Sequence, residues 1–496
     1  MKTAMRFLLF CLIFDAAFLA AQEKQTSAGD RTSVDVTVYN QNLSLIRETR
    51  TMTLPEGLSH VIIPDIPSSI DGTSLHFLSL TDPSAVSVLE QNYQYDLVNE
   101  AKLLDKYVGK EIEFVRYDES SKKEFTVKGK LLAAGWQAQP MANRSVNLGM
   151  VAEINGKIEL NPEGRLVLPS LSEGLILKPQ LDWLVSNDHA GEHKTEISYL
   201  AGQLSWDANY VALLDKSDTK LDMTGWVTLT NNSGTTFRNA GLKLVAGDVN
   251  LVRNRFEQGG HMMDMVAKAA AEPQFQQTEL FEYKLYTLKR RTDLQTNETK
   301  QIELVAGKGV ASKKMFIYDG LGDEWRNWYG NTSYRSQGSF GQQSNPKVGV
   351  FMTFRNDEKS GLGIPLPKGK VRVYKRDDDG KEQFIGEDQI DHTPKDEEIR
   401  LYLGNAFDIV GERAQIDFKS YNSGRIVEET YQIKVRNHKS EPVEVQVYEH
   451  PWRGNQWTIL KSNIDWVKVD QSTLRFPVKI GKDEESVVTY TIRYSW

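Results

Sequence analysis

The chain has 496 residues, a formal net charge of −7, and 40% hydrophobic against 26% charged residues. That length and balance fit several folded domains and exclude a disordered chain. A mildly acidic protein without a basic stripe is not built for nucleic acid, nor for electrostatic adhesion to anionic lipid.

Residues 1–21 read as a secretory signal peptide. Lys2 and Arg6 open it, 7–14 is an unbroken apolar run, and 16–21 is mostly small, so cleavage is expected after Ala21. The run is shorter than the roughly 20 residues of a membrane span, and Asp15 interrupts it. No later stretch reaches that length, so the mature chain is expected to have no transmembrane segment. Cys11 is the only cysteine and lies within this segment. No small residue stands just before it, which argues against lipid modification. The mature chain must therefore be held by core burial without disulfides. These features point to export to a bacterial periplasm or cell surface.

Residues 22–32 are polar and small and read as a disordered leader. From Ser33 the chain alternates: Val34, Val36 and Val38 with Asp35, Thr37 and Tyr39. Pro55-Glu56-Gly57 is a turn and 61–63 a buried strand. The spacing of Leu97, Ala101, Leu104 and Val108 predicts a helix over 96–108 that Gly109 can end. A series of short strands then suggests a small barrel-like module. The run 206–252 is the clearest hairpin grammar in the chain, with apolar segments between turns at 215–218, 231–234 and 246–248. Residues 259–273 are rich in Met and Ala, and read as a surface loop with a frayed helix or as a partner-binding helix. Residues 319–347 are rich in Gly, Ser, Asn and Gln, with Trp325, Trp328, Tyr329, Tyr334 and Phe340 among them. After them, alternation resumes in Ile399, Leu401 and Leu403 and in Val443, Val445 and Val447.

The expected fold is therefore mainly β: two or more immunoglobulin-like β-sandwich domains with a small inserted β-barrel-like module. The divisions are a signal peptide at 1–21, an N-terminal β region at 22–95 and a small β module at 96–180. A central sandwich at 181–318, a loop or linker at 319–347 and a C-terminal sandwich at 348–496 complete the chain.

His189-Ala190-Gly191-Glu192-His193 matches the H-x-x-E-H zinc-protease pattern. That chemistry needs both histidines on one face of a helix. Here Gly191 interrupts the motif and a strand comes next, so the segment reads as a turn. Asp377-Asp378-Asp379-Gly380 lacks the spacing of a calcium loop and reads as a hairpin turn. No metal or other cofactor is expected. There is no G-x-S-x-G, Walker loop or C-x-x-C. Val488, Tyr490, Ile492, Tyr494 and Trp496 alternate like the last strand of an outer-membrane barrel, but charged residues on the other strands favour a sandwich strand. The candidate ligand-binding residues are Trp325, Trp328, Tyr329 and Tyr334, whose rings either stack on a ligand or fold back on the adjacent sandwich.

Several phrases together resemble the bacterial domain-of-unknown-function 4139 family. They are LAGQLSWDANY at 200–210, NNSGTTFRNAGLKLVAG at 231–247, GLGIPLPKGKVRVY at 361–374, LYLGNAFDIV at 401–410 and the closing YTIRYSW. Residues 36–50 also look like the start common in that family. The resemblance spans most of the chain from residue 33. It implies an envelope-associated, mostly β protein and supplies no activity or site residues. The expected function is binding of an envelope protein or glycan, more a binding protein than an enzyme. A hydrolase using a carboxylate pair in an inter-domain cleft and a structural spacer are the alternatives. The oligomeric state is not legible.

Overall fold

The computed structural model describes residues 22–25, 30–95, 97–135, 149–170, 175–247, 249–250, 274–329, 337–338 and 344–496. Residues 1–21, expected to be a signal peptide, the Met-rich run and Tyr334 lie outside these residues. The fold is mainly β, with several multi-strand sheets and none closed into a barrel. Among the described residues, no helix is long and apolar enough to cross a membrane.

Alternation builds the first core. Along Arg31–Tyr39, Leu43–Leu54, Gly57–Pro64, Gln180–Asn187 and Gly191–Gly202, nearly every second side chain is buried, the period-2 signature of a strand with one covered face. These strands lie in two sheets, one of four strands and one of eight. Gln22–Gln25, expected to be part of a disordered leader, is a strand paired in parallel with Gly57–Pro64. Backbone hydrogen bonds to an open sheet edge need no apolar pattern, which is why the sequence hid it.

The hairpin grammar of 206–252 is realised as paired strands. Leu204–Leu214 runs antiparallel to Lys220–Asn231, from Leu204 opposite Asn231 to Leu214 opposite Leu221. The Asp215 carboxylate accepts from the Thr219 and Lys220 amides and closes the turn. Tyr210 faces Gly225 across the pair, and a Cβ on Gly225 would come within 2.9 Å of the tyrosine ring. The glycine leaves room for the ring, whose hydroxyl donates to the Pro367 carbonyl at 2.7 Å.

Two unusually long strands carry the chain onward. Glu298–Asp319 pairs first with Lys220–Asn231, then with Lys347–Arg355, and at its end in parallel with Val443–Glu449. Glu398–Tyr421 begins against Lys347–Arg355 and ends against Ile426–Asn437. Each therefore contributes to both the first core and a second core built from 316–494. Gly369–Arg376, expected within the last sandwich, adds in parallel to Leu204–Leu214. Its Val371 and Val373 are buried in the first core. Beside it, Glu382–Ile390 comes up against Glu398–Tyr421, where a Cβ on Gly386 would sit 2.6 Å from the Leu403 carbonyl oxygen. The Tyr402 amide there donates to the Asp388 carboxylate at 2.7 Å.

The small module is an open five-stranded antiparallel sheet with edges at Lys157–Leu160 and Arg165–Val167, not a barrel. The helix Glu100–Tyr107 falls within the predicted 96–108. Asn99 caps it by accepting from the Lys102 amide, and Leu104 and Tyr107 are its buried residues.

One charged cluster locks the register of the first core. Glu48 is fully buried. It accepts from Arg31 Nη1 at 3.3 Å, Arg50 Nη2 at 2.7 Å and the Tyr199 hydroxyl at 3.0 Å. Burial pushes the Tyr199 hydroxyl pKa well above its ordinary value, with the Glu48 charge adding to the shift. Glu48→Ala removes the buried carboxylate that Arg31 and Arg50 share, and urea denaturation should show a loss of about 3–5 kcal/mol. A loss under about 1 kcal/mol would mean the cluster is incidental to stability.

Candidate functional site

The second core starts as an ordinary sandwich interior. Val443, Val445 and Val447 belong to it along with Val478, Phe476 and Leu474 of the paired strand, and Ile433, Val435, Val488 and Ile492 complete the same core. Toward one end, inward positions on these strands change from aliphatic to ionisable. Glu429 follows Val427 on the buried face of Ile426–Asn437, and Glu449 follows Val447 on that of Val443–Glu449. Both carboxylates are fully buried.

Their charges are answered by named partners. Arg413 Nε donates to both Glu449 oxygens, at 2.8 and 3.0 Å, and the Tyr490 hydroxyl donates to Glu449 Oε2 at 2.5 Å. The Arg413 guanidinium lies 3.9 Å from the centre of the Tyr431 ring. Burial works against the Arg413 charge, but Glu449, Tyr431 and Tyr490 together outweigh it and the guanidinium pKa is raised. Glu429 Oε1 accepts from Gln415 at 2.6 Å, the Tyr431 hydroxyl at 3.0 Å and Arg453 Nη2 at 2.6 Å. Burial pushes the Tyr490 and Tyr494 hydroxyls well above their ordinary pKa.

Aromatic rings cover this end. The long strand stops at Asp319, whose Oδ1 accepts from the Leu321 and Gly322 amides and turns the chain into the short helix Trp325–Trp328. Trp325 stacks on the His450 ring at 4.6 Å and 10°. Trp328 meets Trp452 edge-on at 5.7 Å, and Arg453 lies over Trp452 at 4.2 Å. The Tyr329 hydroxyl donates to Asn455 Oδ1. Farther along, Trp457 donates to the Gln471 carbonyl, carries Lys468 over its face and contacts Trp466. Trp496 stacks on Tyr494. Six of the chain's ten tryptophans therefore gather here.

Of the residues singled out in the sequence, Trp325, Trp328 and Tyr329 come together on this end, folded back against the sandwich. Trp325 and Trp328 are not fully buried by the contact, and Tyr329 keeps 38% of its surface exposed. Tyr334 lies outside the described residues. His450, Trp452, Arg453, Trp457 and Trp466 join them without having been marked by any motif. The density of aromatic, basic and amide residues in EHPWRGNQW at 449–457 was the available signal.

The other motifs are structural in place. His189 is exposed in the turn before Gly191–Gly202. Glu192 and His193 are neighbours on that strand, one exposed and one buried, and the His193 ring bonds the Ser79 hydroxyl at 3.2 Å. Asp377 accepts from the Lys381 amide and holds a hairpin turn. Among the described residues, no group of three or more His, Cys, Asp or Glu is placed to hold a metal.

Chemically, the two buried glutamates at this end serve its architecture. Glu429 and Glu449 are each committed to an arginine and closed to solvent, whereas an acid–base pair must reach a substrate. No protein-family model and no curated protein matches the chain.

A double-mutant cycle tests whether the ion pair acts as a unit. Arg413→Met and Glu449→Gln should each be strongly destabilising, with a coupling of about 2–3 kcal/mol in urea unfolding. Additivity within about 0.5 kcal/mol would show that the two side chains act independently.

Proposed function

We propose that this is an exported, envelope-associated binding protein of the domain-of-unknown-function 4139 family, holding a glycan chain at the tryptophan-rich end of its second core. The observation that carries the reading is the gathering of six of ten tryptophans at one end, above a buried polar network that fixes strand positions. Aromatic rings with amide and basic neighbours suit sugars, which offer an apolar ring face and a fringe of hydroxyls. Tyr329 and Trp466 supply exposed ring surface, Arg326 lies over the Trp325 ring within the same segment, and Asn455 accepts from Tyr329. The signal segment and the quoted sequence phrases support export and the family.

A protein partner is the second reading. It is favoured by Leu460, Trp466, Val467 and Val469, exposed apolar residues on and between two edge strands. Both strands carry register irregularities, which disfavour simple strand addition and leave side-chain docking as the mode.

Binding of the mature protein to purified envelope polysaccharide, measured by calorimetry, tests the leading reading. Trp328→Ala combined with Tyr329→Ala should weaken it about tenfold or more. Affinity unchanged by that pair of substitutions would move the ligand away from this end.

A further inference from the structure

His450 stands between the buried network and the aromatic segment, and its surroundings are unusual for a neutral imidazole. Its Nε2 faces Asp319 Oδ2 at 3.1 Å, and its Nδ1 faces the Ser472 carbonyl at 3.1 Å. A carbonyl oxygen and an ionised carboxylate only accept hydrogen bonds. A neutral imidazole has one N–H and satisfies one of them, whereas an imidazolium satisfies both. The flat face of the same ring lies on Trp325, where a positive charge gains from the indole quadrupole. Asp319 also holds the Leu321 and Gly322 amides that begin the turn into Trp325. One ring thus touches the strand end, the sandwich and the aromatic segment together.

We propose that His450 is a proton-operated latch: as an imidazolium it clamps the 325–329 segment onto the sandwich, and on losing its proton it lets that segment go. Release bares faces of Trp325, Trp328 and Trp452 that the docked form covers against His450 and one another. The purpose of the latch rests on the reading of this end as a binding surface, but its operation can be tested without a ligand.

The charged groups around His450 come from each packed element. Asp319 ends the long strand, Glu449 ends Val443–Glu449, and Asp470 lies on Val467–Asp470, all anionic. Arg413 offsets Glu449, and Arg326 lies over Trp325 at 5.7 Å. Burial lowers the imidazole's affinity for a proton, but the Asp319 bond and charge, the Ser472 carbonyl and Glu449 together raise its pKa above the ordinary 6.5. The sign comes from linkage: a raised value means the clamp is complete below 6.5 and is lost as pH climbs through the raised value.

The test uses the mature protein labelled with fluorotryptophan, with the Trp325 resonance assigned through Trp325→Phe. Fluorine NMR from about pH 5 to about pH 9 should show that resonance moving in one step, with its midpoint above 6.5. In His450→Gln the step should vanish and the resonance should stay near its high-pH position. In Asp319→Asn the midpoint should fall by about one unit or more. The Trp206 resonance in the first core reports whether each variant is folded. If His450→Gln does not fold, the Asp319→Asn midpoint decides. A flat Trp325 resonance, a step that survives His450→Gln in folded protein, or a midpoint indifferent to Asp319→Asn overturns the latch. A protein that shows the step and binds no glycan loses the binding surface and keeps the latch.

Discussion

A charge buried inside a β-sandwich must be answered by an opposite charge and by hydrogen bonds, and this constraint organises both cores. A lone carboxylate in such a place costs several kcal/mol. Glu48, Glu429 and Glu449 each occupy an inward strand position with almost no exposure. Each is met by arginine and tyrosine, most of them arriving from other strands. Arg31, Arg50 and Tyr199 converge on Glu48. Arg413 and Tyr490 serve Glu449. Because a one-residue slip turns a strand's inward side chains outward, such clusters penalise any wrong register more heavily than aliphatic packing does.

The two charged clusters differ in where they lie, and the difference bears on function. Near Glu48 the cluster is enclosed within the first core. Near Glu429 and Glu449 it lies under an end where rings take over, and where the Trp325–Tyr329 segment is held by stacking and a few polar bonds. Stacking on a single imidazole ring is a reversible contact, unlike burial in an aliphatic core. The segment is therefore positioned by the sandwich without being part of its interior.

Local order is largely readable from the sequence. The alternation from Ser33 to Tyr39, the apolar spacing over 96–108 with its stop at Gly109 and the Asp turns at 215 and 377 depend on neighbouring residues, and the structure has strands, a helix and turns there. The aromatic segment is marked by composition, and three of its rings lie together. The partners of those rings are not marked, because His450 and Trp452 are more than a hundred positions away and meet the segment only across the sandwich. The H-x-x-E-H match shows the converse. Residues adjacent on a strand point to opposite faces, so Glu192 and His193 part company however well their letters match a helical motif.

Composition and short-range pattern were enough to establish a mainly β chain, where its turns fall and which side chains face inward, because those properties arise from steric preference and apolar burial within a few residues. Which strands pair was settled only by folding. Gly369–Arg376 beside Leu204–Leu214, two strands serving two cores, and an imidazole held between Asp319, Ser472 and Trp325 are contacts between distant residues. Forming them costs the entropy of closing long loops and the desolvation of charges, and only the completed set of contacts offsets both. No local stretch of sequence carries that information, because neither half of such a contact has a reason to be there without the other.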